Sequence, residues 1–210
     1  MPHVRPYSRN EERANSITHG FGALMSLVGT VALTLRALET GDIRRIVTYP
    51  VFGVTMVLLY TASTLYHSRK SELSKARLKV LDHISIFYLI AGTYTPVTLV
   101  GMGGAWGWSI FAVVWTLALA GTVFKLFFTG RFPRVSTAIY VGMGWIVVVA
   151  VVPLIRSLST DTLLWLLAGG LCYTGGVVFY AWRRLPFGHA VWHLFVIAGT
   201  ASHFVAVMSL

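Results

Sequence analysis

Seven runs of mostly apolar residues, each about 20 long, occupy most of this 210-residue chain. They are Ile17–Leu38, Ile46–His67, Val80–Val100, Trp106–Phe128, Val135–Ile155, Thr162–Trp182 and His189–Ser209. Runs of that length match the hydrocarbon thickness of a bilayer, where no water can satisfy backbone N–H and C=O groups. Only α-helices and closed β-barrels meet that demand. The runs lack barrel-strand alternation, and their short connections hold Pro, Gly or charge, as helix ends do. The expected fold class is an all-α membrane protein, a seven-transmembrane helix bundle. It divides into an amino-terminal segment, 1–16, and one helical domain, 17–210, with no internal repeat. Glycines such as Gly142 and Gly144, or Gly175 and Gly176, are expected at close helix contacts.

Composition agrees, with 56% of residues hydrophobic and 11% charged. A soluble domain has about a quarter of its residues charged, so this chain cannot coat a water-facing surface. The net charge of +10 raises the question of a nucleic-acid partner. The basic residues form no patch; they sit between the apolar runs. Arg5, Arg9 and Arg13 precede the first run, and Arg69, Lys70, Lys75, Arg77 and Lys79 lie between the second and third. Lys125, Arg131 and Arg134 flank the next connection on that side, and Arg183 with Arg184 the last. Thirteen of the seventeen lysines and arginines thus fall on one side, leaving Arg36, Arg44, Arg45 and Arg156 on the other. The positive-inside rule makes the amino terminus cytoplasmic and the carboxyl terminus external, so topology accounts for the charge. Cys172 is the single cysteine, so no internal disulfide forms and the redox compartment is unreadable. The first run follows an Arg-rich head without a convincing cleavage site and reads as a retained signal anchor.

This topology sorts the polar residues by depth. The second run ends on the cytoplasmic side in YTASTLYHS, with Ser63 and His67. The third begins there, with Asp82 and His83, and the seventh also begins there, with His189 and His193. Helices far apart in sequence therefore bring His67, Asp82, His189 and His193 to one layer. His189 and His193 are one helical turn apart on one face, a spacing that lets two imidazoles share a metal. His67, at the same level on another helix, would complete a three-histidine set with an open position, the pattern of a catalytic zinc site; the alternative is interfacial histidines bonded to headgroups, water or a neighbouring helix. Neutral imidazoles suit zinc, with copper, iron and nickel as alternatives. His203 lies about 15 Å deeper on the same helix and cannot join that set. It reads as interhelical polar glue or as part of a separate pocket.

Asp82 has two readings: a general base holding a water at the metal, or an ion pair with Lys79 at the interface. Ser63, one turn before His67 on the same face, either bonds its own helix carbonyl or donates near that water. His83 points about 100° away from Asp82 and stands behind the site. EERANSITHGFGA places Glu11, Glu12, Asn15 and His19 on the cytoplasmic side. Asn15 and His19 share a face and either line the cavity or, for Asn15 with Ser16, mark an ordinary helix start.

The segments EERANSITHGFGA, STLYHS, LDHISIFYLIAGTYTP and HAVWHLFVIAGTASHF, in this order, resemble the signature segments of the hemolysin III family. That family is the bacterial branch of the progestin and adipoQ receptor group. The resemblance runs from Glu11 to the carboxyl terminus. It implies a seven-helix bundle with a zinc site near the cytoplasmic face. By motif, His67, His189 and His193 correspond to the zinc-binding histidines, Asp82 to the carboxylate near the zinc water, and Ser63 to the serine a turn before the first ligand. It further implies a link to membrane-lipid homeostasis and, through eukaryotic relatives, ceramidase-like hydrolysis of a lipid amide or ester.

A zinc-dependent lipid hydrolase is the expected function, with Zn2+ as cofactor, a membrane lipid as substrate or ligand, and no nucleic-acid partner. Two other classes stand beside it: a zinc-braced lipid sensor without catalysis, and a pore-forming haemolysin. A pore needs polar stripes along several helices, and the fourth to sixth runs are nearly devoid of them. The orientation has a direct check. Reporter fusions at Leu210 should read outside, and fusions within residues 69–79 should read inside. A loop that reads outside would remove the shared layer along with the topology.

Overall fold

The computed structural model describes residues 7–182 and 184–210. Arg5 and Arg183, two of the residues used for orientation, lie outside the described residues. Among the described residues there are eight α-helices: α1 (Arg9–Thr40), α2 (Ile43–Ser68), α3 (Glu72–Pro96), α4 (Gly104–Phe128), α5 (Pro133–Gly144), α6 (Val151–Ser157), α7 (Thr160–Ala181) and α8 (Gly188–Met208). A π turn, Val97–Met102, extends α3, and a 3-10 segment, Ile146–Ala150, joins α5 to α6. Taken together they make seven stretches long and apolar enough to cross a membrane, with no strand among the described residues. The chain is the expected multi-pass membrane bundle.

Helix α1 begins earlier than its apolar run, because Ser8 and Glu11 form a capping box. The Ser8 N–H donates to Glu11 Oε2 at 2.7 Å, and Ser8 Oγ accepts from the Glu11 N–H at 3.3 Å. This satisfies two of the amide donors that a helix start leaves open. Of the two readings of Asn15, the helix start at Asn15 and Ser16 falls away, since the helix begins about two turns earlier. With 32 residues, α1 is about 48 Å long, well beyond the hydrocarbon core, so its first turns project from the bilayer. Its buried residues recur at helical spacing: Glu11, Asn15, His19, Gly22, Ser26, Leu33 and Ala37. Ile17, Phe21, Leu24 and Val28 face outward. In lipid the arrangement of a soluble helix is reversed, with small and polar groups turned toward protein and large apolar ones toward the tails.

Helix α1 packs between α2 and α8, α3 lies against α2 and α4, and α7 against α8. Helix α5 lies between α3 and α7 and closes the ring more sparsely. Glycines permit the close contacts on the α1–α2–α3 side. A Cβ at Gly22 would stand 2.6 Å from the Tyr60 ring, and one at Gly92 would overlap Thr55 Oγ1. Gly176 is likewise pressed against Trp192 and Phe195. Gly142 and Gly144 are not packing glycines: a Cβ at either would meet nothing within 4 Å. They belong to a break in the fifth span, which the sequence reading took as one continuous run.

Pro153 sits in the first turn of α6, where its missing N–H is harmless, and it prevents a regular helix from continuing through the preceding turn. Tyr94 on α3 holds the break. Its hydroxyl donates to the Gly144 carbonyl at 2.8 Å and accepts the Val147 N–H at 3.1 Å. Backbone freed inside a membrane is thereby satisfied by protein.

These contacts separate two kinds of glycine. Gly92→Ala should lower the stability of the detergent-solubilised protein by about 1–3 kcal/mol, the usual cost of overpacking. Gly142→Ala should be neutral or stabilising by about 0.5–1 kcal/mol through helix propensity. Thermal unfolding of the two variants is the measurement; indistinguishable midpoints would refute the packing described.

Candidate metal centre

His67 occupies the last turn of α2, while His189 and His193 occupy the first two turns of α8. Both helix ends lie at the basic end of the bundle. The three residues come together so that one ligand atom from each lies within 4.8 Å of the others. Ring centroids are 4.5 Å apart for His189 and His193, 5.0 Å for His67 and His189, and 5.2 Å for His67 and His193. The approach of α8 is fixed at Phe187, which takes a left-handed φ of 56°. Its N–H donates to Glu11 Oε1 at 3.2 Å, which ties the start of α8 to the start of α1.

The hydrogen bonds behind the rings decide which nitrogens face inward. His67 Nδ1 lies 2.6 Å from Glu12 Oε2. An ionised carboxylate only accepts, so Nδ1 carries a proton, and the tautomer of a neutral ring is thereby the one with its lone pair on Nε2. The Asn15 amide nitrogen, 3.5 Å from the same Nδ1, is at the limit of bonding and cannot donate to a protonated nitrogen. His193 Nδ1 lies 3.1 Å from the Asn15 carbonyl and 3.1 Å from Thr18 Oγ1. A carbonyl accepts only, so His193 also donates through Nδ1 and offers Nε2. The Thr18 hydroxyl in turn donates to the Ala14 carbonyl at 2.9 Å.

His67 Nε2 is buried without a hydrogen-bond partner among the described residues. An unsatisfied imidazole nitrogen inside a membrane protein is costly, and a cation shared with the other two histidines removes that cost. The donor set therefore fits a metal ion, and His67, His189 and His193 can hold one. Neutral nitrogen donors suit a borderline transition-metal ion more than magnesium or calcium.

Ser63 and Asp82 adjoin this group. Ser63 is 1% exposed, and its hydroxyl is within hydrogen-bonding reach of the Asp82 carboxylate across the α2–α3 contact. The His67 ring and Lys79 are the other polar neighbours of Asp82. Asp82 and Ser63 line a cavity of about 150 Å³ together with His189 and His193. From that polar end the cavity runs between walls that include Leu59, Ile86, Leu89, Ile90, Val177 and Val196.

The remaining histidines separate by role. His83 Nδ1 donates to the Lys79 carbonyl of its own helix at 2.8 Å, and it lines the cavity without joining the metal group. His203 Nε2 donates to the Leu166 carbonyl at 3.1 Å and so links α8 to α7 as interhelical glue. His19 is buried and stacks on His193 with centroids 3.5 Å apart and planes 11° from parallel. Asn15, fully buried, supplies the carbonyl behind His193 and is part of the site.

The sequence places Glu12 on the cytoplasmic side without giving it a role and does not mark Thr18, although each touches a ligand histidine. The signal for Glu12 was present in its spacing. Glu12, Asn15 and His19 stand three and four residues apart, forming a polar stripe on a helix otherwise turned to lipid.

Fold and site together define a multi-pass membrane protein with three histidines that could hold a metal ion at the basic end of its bundle. The chain belongs to the haemolysin III family: the profile described as "Haemolysin-III related" matches residues 7–204. It is 45% identical over 198 residues to "Hemolysin-3" of Bacillus cereus, an alignment covering 94% of this chain and 90% of that protein. Identity is also 45% over 202 residues with "Hemolysin-3 homolog" of Bacillus subtilis (strain 168), covering 96% and 95%. With the human "Monocyte to macrophage differentiation factor" it is 30% over 203 residues, covering 94% and 83%.

The geometry predicts about one tightly held metal ion per chain. His67→Ala, His189→Ala and His193→Ala should each lose it, whereas His203→Ala should retain it. Metal analysis of purified protein decides the matter, and three single variants that all keep their metal would rule the site out.

Proposed function

We propose that this protein is a zinc-dependent hydrolase acting on an amide or ester bond of a membrane lipid. His67, His189 and His193 are the residues that would hold the zinc. When bound there, the ion supplies Lewis acidity, which makes water nucleophilic near neutral pH and polarises a carbonyl. The observation that carries the reading is the cavity, which joins a carboxylate and the histidine group at its polar end to apolar walls. A lipid with its carbonyl at the headgroup level and its chain in hydrocarbon has that same polarity profile.

Asp82 is the general base in this proposal. Its carboxylate faces the cavity beside His67, where it can hold a water and accept its proton. Ser63, beside Asp82 in the same cavity, is the hydroxyl that would orient the carboxylate. The Asp82–Lys79 pair expected as an alternative is compatible with this role, since Lys79 is a neighbour on the same helix and does not replace the Ser63 contact. The apolar walls hold the acyl chain and exclude bulk water, which strengthens each charge interaction at the polar end.

The experiment is incubation of purified protein with a panel of ceramides, acylglycerols and phospholipids, followed by analysis of released fatty acid. Asp82→Asn keeps the size of the side chain but cannot accept a proton at neutral pH. It should retain metal and fold while hydrolysis falls by about 10²–10⁴-fold, the usual share of a positioned base. Unchanged hydrolysis in this variant would reject the catalytic role of Asp82. Absence of hydrolysis across the panel, with metal bound, would favour a lipid sensor.

A further inference from the structure

We infer that Glu12 is a positioning residue for the metal, so that metal affinity is set in part from α1, which contributes no ligand. This rests on the metal-site reading of His67, His189 and His193. Three observations point to it. The Glu12 carboxylate meets His67 Nδ1 at 2.6 Å, opposite the nitrogen that faces the other ligands. The His67 side chain is wholly shielded from solvent while that of Glu12 is 18% exposed, so the bond is not one of the loose pairs common at protein surfaces. The second carboxylate oxygen is held by Lys75 of α3, which leaves the group little freedom to turn away.

An acceptor behind a ligating imidazole acts in two ways. It fixes the tautomer, so that the inward nitrogen always carries a lone pair, and it raises the basicity of that nitrogen toward a cation. A carboxylate does both more strongly than a carbonyl, because the hydrogen bond is charge-assisted. His193 has only neutral acceptors behind it, the Asn15 carbonyl and the Thr18 hydroxyl. Among the bonds described behind His67 and His193, Glu12 alone provides a full negative charge. It also offsets part of the charge that a divalent ion brings to three neutral ligands.

The competing account makes Glu12 a surface partner of Lys75 that also favours the start of α1 through the helix dipole. The two accounts differ in what they move. A helix-start role alters the stability of the metal-free protein and leaves affinity alone. A positioning role alters affinity and the ligand field, and its effect disappears when His67 is gone.

The test is zinc affinity of purified full-length protein, measured by competition with a chromophoric chelator, together with the visible spectrum of the cobalt-loaded protein. Glu12→Ala should weaken zinc binding by about 10–100-fold, the usual effect of losing such a partner. Glu12→Gln keeps an acceptor without the charge and should recover part of that loss. The cobalt bands should shift in both variants, whereas a helix-start role would leave them in place and change only the thermal stability of the metal-free protein. Should Glu12→Ala fail to fold, Glu12→Gln alone still decides, since wild-type affinity in that variant with an unshifted cobalt spectrum overturns the charge-assisted role. Wild-type affinity in Glu12→Ala overturns the proposal while leaving the three-histidine site standing. Wild-type protein that binds no zinc overturns both.

Discussion

The interaction on which the site depends is the pair of Nδ1–H hydrogen bonds that His67 and His193 give to α1. An imidazole at the edge of a hydrocarbon layer must place both of its nitrogens, and each nitrogen left unplaced costs several kcal/mol. The α1 helix takes one nitrogen from each ring, through Glu12 for His67 and through the Asn15 carbonyl and Thr18 for His193. That leaves the remaining nitrogens turned inward as lone pairs, a disposition that repels itself until a cation enters. The polar inner face of α1 follows from this requirement. A helix with a uniformly apolar circumference could span the bilayer equally well, but it could not orient the rings.

The same demand organises the ends of the helices. Adjacent glutamates do different work: Glu11 closes the capping box and accepts the Phe187 N–H, while Glu12 holds His67 and Lys75. The start of α1 is thereby joined to the end of α2, the start of α3 and the start of α8. Two of these ends carry His67 and the His189–His193 pair, and Asp82 follows about three turns into α3. A long α1, extending about two turns past its apolar run, is what allows one element to reach all of them.

Much of this arrangement was legible in the sequence because it rests on length and depth. Seven apolar runs define seven spans, and alternation of direction carries His67, Asp82, His189 and His193 to one level. Helical spacing of four residues puts His189 and His193 on one face, and a rise of about 15 Å along the same helix separates His203 from them. What the sequence left open depends on rotation and on which helix abuts which. Glu12 is drawn into the site because α1 presents that face to α2, and no periodicity within α1 names its neighbour. Asn15 read equally well as a helix start, since the capping signal at Ser8 and Glu11 lay outside the apolar run. Gly142 and Gly144 read as packing residues because small residues serve both close contact and helix interruption. The structure assigns them to interruption, together with Pro153 and the Tyr94 hydroxyl.

The distribution of glycine also divides the bundle by function. Where a site must hold imidazoles within a few tenths of an ångström, the helices that carry them have to approach closely and in one register. Gly22 under Tyr60 and Gly92 under Thr55 give the α1–α2–α3 side that property, and Gly176 against Trp192 and Phe195 gives it to α8, because a larger residue at any of these positions would force the backbones apart. Interiors packed in this way transmit small displacements and do not absorb them, so the ligand geometry inherits the rigidity of the contact. The opposite wall needs no such accuracy. Helix α5 bears no metal ligand, its span is broken at mid-membrane, and Gly142 and Gly144 face open space. That wall bounds the apolar length of the cavity; the hydrocarbon chain proposed to lie there would require volume and dryness but no directed bonds. Precision is concentrated at the polar end because directed bonds to nitrogen lose most of their energy when displaced, whereas dispersion contacts spread over many atoms lose little.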